Sequence, residues 1–578
     1  PSRGLGDVYK RQVVTGFCDI GFDPRHPNFS DSEGNLRVKR IVDYRDTLAT
    51  VTRLYSPSEI ARWETDDHNE YHATHVAGIM TGGYRGNDYN GIASGSDIVA
   101  ATSMLTDACI LDGAEEIIDY ARSKGRPAVI NMSLGSYTGP HDGTSLFNQY
   151  LAKLGDEAVI CMAAGNEGSR PNNIQLDFHE EMSASSVYIR DCYDGWDDVH
   201  IFGAADFWSR DDSGFSLSIS LYDILTKNIV YTSPWFGGEG PAEWSIATPK
   251  YNDGTAVSDP AFDNAYDGYF RASAEINPEN GRYNIYTSFS VINHETVERV
   301  GRYSLIVTVK GIPGTHVDGY ADGYRCYFGT NGSSTFATPN SRMSISDIAC
   351  GDNIIVVGAS CARNSVPLLD GKTTDFSYTV NNAARFTGYG TLADGRTLPH
   401  IAAPGCCVIS SYSTPYLENN PQHIQAMSAK ATVDGHEVYW GWEGGTSMAT
   451  PYVAGTIALW LQADPTLTVD EVREIAMSTA MTDYTDFGDP RWGAGQIDAL
   501  AGLRKVLSTA AINDVAADNR HSPLITNTDG SLNIAYPGTG TFEVKLFTLS
   551  GNEVASVVAT DTAAAIDTST PVSYTHLR

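Results

Sequence analysis

The sequence has few positive charges for its length. Its 578 residues include 39 Lys and Arg against 70 Asp and Glu, a formal net charge of −31 at pH 7. This surplus of negative charge repels the phosphates of nucleic acids and anionic membrane surfaces. The chain also lacks any run of about 18 apolar residues, the length that a membrane-spanning helix requires. We therefore expect neither a nucleic-acid partner nor a transmembrane segment.

Cysteine is scarce and shows no metal-binding pattern. The nine cysteines lack metal-ligand spacing, and an odd number cannot all pair within one chain. We interpret them mostly as small, buried apolar residues. They are Cys18, Cys109, Cys161, Cys192, Cys326, Cys350, Cys361, Cys406 and Cys407.

Both ends of the chain look foreign to the rest. The chain opens with PSRGLGDVYKRQ, without an initiator Met, and closes with PVSYTHLR. Both strings resemble translated adapter read-through, so we predict that residues 1–12 and 572–578 are non-native. A signal peptide would then have preceded Val13 and been lost by truncation.

Short apolar runs alternate with helix-like stretches in the first part of the chain. The runs at 97–104, 128–135 and 158–166 are typical of buried strands, while 114–125 and 145–155 have the apolar spacing of helices. Units of strand, helix and strand build a parallel sheet. Because open parallel sheets bind ligands at the carboxyl ends of their strands, we expect the functional site there.

The pattern of apolar and polar residues changes in the middle of the chain. Runs such as 215–224, 284–292 and 303–312 alternate apolar and polar residues, which predicts an inserted antiparallel β-sandwich. Buried strands then return, followed by helices at 447–463 and 468–480. We therefore predict an α/β fold: a doubly wound, mostly parallel sheet with an inserted, jelly-roll-like β-sandwich and a small C-terminal β module. The predicted boundaries are 13–176 and 343–508 for the two parts of the α/β domain, 177–342 for the insert and 513–571 for the partial β module.

The stretch GGTSMATPYVAG at 444–455 places one serine where a helix begins. Its apolar residues have the spacing of a buried helix face that opens just after Ser447. Unpaired N–H groups and the positive end of the helix dipole would stabilise an oxyanion beside Ser447. A serine before a helix is most often only an N-cap, however. The choice between nucleophile and cap depends on partners elsewhere in the chain.

Two histidines, His72 and His75, lie three residues apart in HATHVAGIMTG at 72–82. Zinc sites on helices usually need histidines four apart with a third ligand, and no HExxH motif or cysteine partner is present. We favour one histidine as a catalytic base and the other as an interior packing residue. A helical histidine alone would be structural, and a competent serine changes that interpretation.

Two polar residues that follow buried strands could complete such a site. Asp19, in DIG at 19–21, could accept a hydrogen bond from a histidine Nδ1–H and stabilise the imidazolium. Asn166, in AAGNEG at 163–168, offers an amide that could hold an oxyanion together with the backbone N–H of Ser447. The structural alternative for each is a turn residue at the end of a strand.

The motifs DIG, HATHVAG, SLG, AAGNEG and GTSMATPYVAG follow one another along one α/β domain, and in this the chain resembles the subtilisin-like serine peptidases. The resemblance covers about 13–176 and 343–506. It implies a triad of Asp19, His72 and Ser447, with Asn166 as the oxyanion donor. It also implies that Ser133, Leu134 and Gly135 form an edge strand that pairs with the substrate backbone. Two residues, Ala73 and Ile20, depart from the usual pattern, but neither change removes a proton-transfer group.

The resemblance implies a secreted serine endopeptidase that cleaves a protein or peptide substrate through an acyl-enzyme intermediate. The chemistry requires no cofactor. Structural calcium occurs in many such proteins; acidic pairs such as Asp197–Asp198 and Asp211–Asp212 could hold it, but we assign no metal ligands. The tail, with FEVKLFTLSGNEV, resembles the sorting domains of secreted Bacteroidetes-type proteins, with a generic β module as the alternative.

Other interpretations remain for the chain as a whole. The insert leaves just beyond Asn166, so we expect it near the substrate cleft, as a gating or surface-binding module or as a stabilising appendage. A catalytically inactive protein of the same fold could bind a ligand through this sandwich, but the intact set of candidate residues favours the enzyme. The serine-carboxyl peptidases that share the fold use Glu at the base position, which His72 disfavours.

Overall fold

A computed structural model describes most of the chain. The residues described are 13–45, 50–84, 86–103, 105–179, 184–190, 200–238, 240–297, 300–323, 326–392, 394–517, 524–528, 531–535, 542–548, 553–559, 563–567 and 574–577. The chain divides between Gly502 and Leu503 into two compact units.

The first unit is built around an eight-stranded sheet. In spatial order its strands are Ile401–Pro404, Ile355–Ser360, Val159–Ala163, Ala128–Met132, Val14–Asp19, Asp97–Ser103, Val38–Tyr44 and Thr52–Leu54. Neighbours run parallel, except that the edge strand Thr52–Leu54 is antiparallel. The three central strands Val14–Asp19, Ala128–Met132 and Val159–Ala163 are buried at every residue, as expected where helices cover both faces.

Helices accompany this sheet. The α-helices are Pro57–Ile60, His72–Thr81, Asp107–Lys124, Leu146–Leu154, Thr414–Asn419, Thr446–Ala463, Val469–Ser478 and Ala499–Ala517, the last of which continues into the second unit. Short 3-10 helices cover Pro27–Phe29, Asp347–Ala349, Pro421–Ala426 and Pro490–Trp492. The helix predicted from 114 begins seven residues earlier, because the Thr106 side chain accepts the N–H of Cys109 and caps it.

The inserted segment forms a sandwich of two antiparallel sheets. One sheet has the order Asn228–Thr232, Ser216–Asp223, Tyr303–Lys310, Ala184–Arg190 and Tyr327–Gly329, with Phe236–Gly237 also paired to Ser216–Asp223. The other has the order Ala242–Ala247, Tyr266–Ile276, Tyr283–Asn293, His200–Ser209, His316–Asp322 and Asn173–Asp177. Apolar residues of both sheets form one shared core, and the short helix Pro260–Ala265 adds Phe262 to it. Burial of this core stabilises the insert.

Smaller sheets complete the first unit. A three-stranded antiparallel sheet has the order Val408–Tyr412, His436–Glu443 and Ala429–Val433. Two-stranded pairs join Thr296–Val297 to Val300–Gly301, Ser365–Pro367 to Thr373–Asp375, and Gly390–Thr391 to Thr397–Leu398. No helix among the described residues is both long and apolar enough to cross a membrane.

The second unit contains two three-stranded antiparallel sheets. One has the order Leu524–Thr528, Ser531–Ala535 and Ala563–Asp567, and the other Glu553–Ala559, Phe542–Thr548 and Tyr574–Leu577.

The predicted α/β fold with inserted β modules is confirmed. The exact domain boundaries stay predictions. Strand Asn173–Asp177 already pairs with His316–Asp322, so the boundary predicted at 176/177 passes through a strand of the sandwich.

Candidate active site

The structure brings Asp19 and His72 together at the carboxyl edge of the main sheet. Asp19 ends strand Val14–Asp19 and His72 begins helix His72–Thr81. The imidazole Nδ1 lies 2.7 Å from Oδ1 of Asp19, which also accepts the N–H of Ile20 at 2.7 Å. Because a carboxylate only accepts hydrogen bonds, Nδ1 carries the proton and Nε2 of the neutral ring is left as an acceptor. The Asp19 side chain is buried, while that of His72 is 28% exposed.

Two hydrogen bonds to backbone carbonyls fix the position of His72 relative to Asp19. The N–H of Ala73 donates to the carbonyl of Ile20 at 2.7 Å, and the Thr74 hydroxyl donates to the carbonyl of Gly21 at 2.7 Å. The start of the helix is thereby tied directly to the end of the strand. The orientation of His72 towards Asp19 follows from these local contacts.

Three carboxylates act on the charge of His72. Burial favours the neutral imidazole, but the charge and hydrogen bond of Asp19 oppose burial. The charges of Glu443 and Glu70 add to this opposition, and the pKa of His72 lies above its ordinary value. The Tyr412 hydroxyl donates to Oε1 of Glu443 at 3.0 Å, so Glu443 is itself fixed in place. The imidazolium that a proton-accepting His72 would form is therefore stabilised.

The second histidine of the motif packs in the interior, as predicted for one of the two. His75 is fully buried, and its Nε2 lies 3.1 Å from the carbonyl of Val408 and 3.2 Å from that of Gly441. Burial is the main reason that its pKa falls to about 3. His75 is therefore a neutral ring that joins helix His72–Thr81 to two strands of the neighbouring sheet.

Ser447 is the second residue of helix Thr446–Ala463, which begins one residue earlier than predicted. The N-cap is Gly445, so Ser447 is not the cap of this helix. Its Oγ lies 3.4 Å from the carbonyl oxygen of Ser133, and the Ser133 hydroxyl donates to the carbonyl of Ser447 at 2.8 Å. Within the described part of the chain, no hydrogen bond joins Ser447 to His72.

Asn166 lies beside the start of the same helix. Its Oδ1 accepts the backbone N–H of Thr446 at 2.9 Å and the Thr446 hydroxyl at 3.0 Å. Because the N–H of Thr446 can only donate, the amide oxygen must face the helix and the NH₂ group must point away from it. Asn166 is exposed. Its two N–H donors are therefore presented to solvent next to Ser447.

Ser133, Leu134 and Gly135 line a cleft of about 260 Å³ with Asp19 and His72. They were predicted as an edge strand, but the sheet strand ends at Met132, and within the described part of the chain these three residues pair with no strand. A β-strand is defined by hydrogen bonds to a neighbouring strand, and these three residues have no such partner among the described residues. The cleft's apolar walls are Leu105, Ile110 and Ile348, and Ile20, Asp107 and Ser136 complete its lining.

Several groups near the cleft were missed from the sequence. Glu443 precedes Ser447 by four residues but belongs to the strand His436–Glu443, and no motif marks it. Tyr137 lies two residues beyond Gly135, and no sequence motif marks it either. Its hydroxyl oxygen accepts the backbone N–H of Asn166 at 2.9 Å. Their positions depend on long-range packing.

Among the residues that the structure describes, one group of three side chains could ligate a metal. Potential ligand atoms of His141, Asp347 and Cys350 lie within 4.8 Å of one another, and all three residues are buried. Calcium prefers oxygen ligands, so a histidine and a cysteine do not suit it. The carboxylate pair Asp197–Asp198 lies outside the described residues. Structural calcium therefore stays a prediction.

The doubly wound sheet with Asp19, His72 and Ser447 around its carboxyl edge defines the subtilisin-like class of serine protease folds. Residues 10–521 match the model of Peptidase S8, the subtilase family, and the chain belongs to that family.

Relatives agree with this assignment. The chain is 33% identical to serine protease AprX of Bacillus subtilis (strain 168) over 28% of this chain and 32% of AprX. It is 31% identical to minor extracellular protease Vpr of the same organism over 19% of this chain and 12% of Vpr. The chain thus spans about a third of AprX and less of Vpr. The CspB protease of Clostridium Perfringens shares the fold, with a TM-score of 0.59 at 19% identity over 87% of this chain and 96% of that chain.

Proposed function

We propose that this subtilase is a secreted serine endopeptidase in which Asp19, His72 and Ser447 form the catalytic triad. The observation that carries the proposal is the contact of 2.7 Å between Nδ1 of His72 and Oδ1 of Asp19 at the wall of a cleft. Ser133 lines the same cleft and exchanges contacts with Ser447.

In the proposed reaction, Nε2 of His72 takes the proton from Ser447 as Oγ attacks the scissile carbonyl. The hydroxyl must first turn away from the Ser133 carbonyl, and their separation of 3.4 Å is at the outer limit of a hydrogen bond. His72 then protonates the leaving amine, and an ester of Ser447 remains. Water, deprotonated by His72, attacks this ester and releases the acid.

Charge on the tetrahedral intermediate would be held by two kinds of donor. The NH₂ group of Asn166 faces away from Thr446, and the backbone N–H of Ser447 belongs to the first turn of a helix. Unpaired N–H groups of a first turn and a fixed amide both stabilise an oxyanion without reorganising. Asn166 and Ser447 together therefore supply the proposed oxyanion site.

The substrate would be an extended segment of protein or peptide. Ser133, Leu134 and Gly135 lie next to the cleft and pair with no strand of the described chain, so a peptide can add to this segment by backbone hydrogen bonds. Leu105, Ile110 and Ile348 favour an apolar side chain in the cleft. The name of one relative, minor extracellular protease Vpr, supports secretion.

An active-site serine probe separates this function from the rival of an inactive, ligand-binding subtilase. The full chain is treated with a fluorophosphonate, and we expect covalent labelling that Ser447→Ala abolishes. Ser145→Ala is the matched control, because Ser145 caps a different helix and its loss should leave labelling intact. A folded protein, by circular dichroism, that is not labelled would overturn the proposal in favour of the binding protein.

A further inference from the structure

The loop that follows Gly135 joins the inserted sandwich to the oxyanion residue. Tyr137 makes both contacts. Its backbone N–H donates to Oδ2 of Asp322 at 2.7 Å, and its phenolic oxygen accepts the backbone N–H of Asn166 at 2.9 Å. Asp322 ends the sandwich strand His316–Asp322. One residue thus connects a carboxylate of the insert to Asn166.

The chain around Gly165 is shaped to admit the Tyr137 phenol. Gly165 has a φ of +99°, in the left-handed region that favours glycine. A Cβ at this position would lie 2.4 Å from the phenolic oxygen, which is too close for any side chain. The glycine at position 165 therefore leaves the space that the Tyr137 phenol needs to reach the backbone N–H of Asn166.

The insert holds this loop at a second point. Oδ2 of Asp206 accepts the N–H of Gly139 at 2.8 Å, and Asp206 is itself fixed by the indole N–H of Trp208 at 2.8 Å and by Asn284 at 2.6 Å. The hydroxyl of Ser136 also lies 3.2 Å from Asp322. Two carboxylates of the sandwich therefore restrain the loop from 136 to 139.

We propose that Tyr137 is a positioning residue for Asn166, and that Asp322 links the inserted sandwich to this positioning by holding the backbone of Tyr137. Asn166 is held at its amide oxygen by Thr446 and at its backbone N–H by Tyr137. Both restraints together fix the direction of the NH₂ group, which is the part that would meet the oxyanion. Asp322 fixes the backbone of Tyr137 and so acts on Asn166 through it. The inference rests on the proposed function.

The first test is Tyr137→Phe, which keeps the ring and removes the oxygen that accepts from Asn166. We expect kcat for a peptide p-nitroanilide to fall about tenfold with KM changed less than twofold, because only stabilisation of the transition state is weakened. Tyr188→Phe is the matched control. The Tyr188 phenol contacts the Ser304 hydroxyl at 2.8 Å within the insert, and its loss should leave both constants unchanged.

A double-mutant cycle separates positioning from a general loss of stability. In an Asn166→Ala background the amide to be positioned is gone, so adding Tyr137→Phe should change kcat less than twofold. A full, multiplicative loss in that background would overturn the inference, as would an unchanged kcat in Tyr137→Phe alone. Thermal unfolding of each variant verifies that all are folded at the assay temperature.

Asp322 provides an independent variant. Asp322→Ala removes the acceptor for the Tyr137 N–H and should lower kcat several-fold, whereas Asp322→Asn keeps one acceptor oxygen and should restore part of that loss. Equal activity of Asp322→Ala and the wild type would contradict the role of the insert. If Ser447→Ala and Asn166→Ala leave turnover intact, the proposed function itself is wrong; if both lower it and Tyr137→Phe does not, only this inference is wrong.

Discussion

The Ser447 hydroxyl lies 3.4 Å from the carbonyl oxygen of Ser133, and the Ser133 hydroxyl donates to the carbonyl oxygen of Ser447 at 2.8 Å. These reciprocal contacts join the start of helix Thr446–Ala463 to the segment that follows strand Ala128–Met132. The proposed nucleophile and the proposed substrate-binding backbone are therefore held by each other. Displacement of one would displace the other.

Replacement of the buried carboxylate should slow catalysis far more than it weakens substrate binding. In Asp19→Asn an amide NH₂ can face Nδ1 of His72, and the ring then adopts the tautomer in which Nε2 cannot accept the serine proton. We expect kcat to fall about 10⁴-fold, measured with a chromogenic peptide at pH 8. Asp31→Asn, on an exposed turn, is the control and should retain full turnover. A loss below tenfold in Asp19→Asn would contradict the triad.

Removal of the proposed oxyanion donor should act on turnover alone. Asn166→Ala deletes the NH₂ group that faces away from Thr446, and one such donor contributes about 100- to 1,000-fold to kcat. Steady-state kinetics should therefore show a large fall in kcat with a nearly constant KM. If kcat and substrate affinity fell equally, the donor would be misassigned.

The pH dependence of catalysis should report the carboxylates around His72. The charge of Glu443 raises the pKa of His72, so its removal in Glu443→Gln lowers that pKa. Because the neutral imidazole is the active base, the acid limb of kcat/KM should move to lower pH. Glu437→Gln is the control: Glu437 lies on the same strand but is exposed and paired with Lys430. An acid limb that stays in place in Glu443→Gln would contradict this electrostatic coupling.

Much of the fold could be predicted from the sequence, because buried strands and amphipathic helices leave local patterns. The runs at 128–135 and 158–166 contain the strands Ala128–Met132 and Val159–Ala163. The start of helix Asp107–Lys124 was missed because apolar spacing is clear only from 114, while its true beginning depends on a cap at Thr106. Family membership, predicted from five short motifs, is confirmed.

Part of the candidate site could likewise be predicted from the sequence, and part of it could not. Asp19, His72, Asn166 and Ser447 belong to short motifs at strand ends and helix starts, so sequence alone could propose them. Glu443 could not be found, because its proximity to His72 depends on how two strands of another sheet pack against helix His72–Thr81. Sequence spacing contains no information on such contacts between distant segments.

A buried carboxyl outside the triad should make folding stability depend on pH. Burial is the main reason that the pKa of Asp347 rises to about 8, and the charges of Asp142, Asp206 and Asp107 add to it, while the N–H of His141 opposes them. In the unfolded chain this group titrates near pH 4. The folded state thus retains a proton that the unfolded state releases, so stability is full below about pH 4 and declines as the pH rises to about 8.

Asp347→Asn should flatten this decline, since an amide does not titrate. We expect the urea midpoint to differ less between pH 5 and pH 8.5 in the variant than in the parent, both carrying Ser447→Ala so that autolysis does not contribute. Asp352→Asn serves as the matched control, because the Asp352 side chain is 77% exposed and burial cannot act on it. An unchanged difference between the two midpoints in Asp347→Asn would show that Asp347 releases its proton in the folded state as readily as in the unfolded chain.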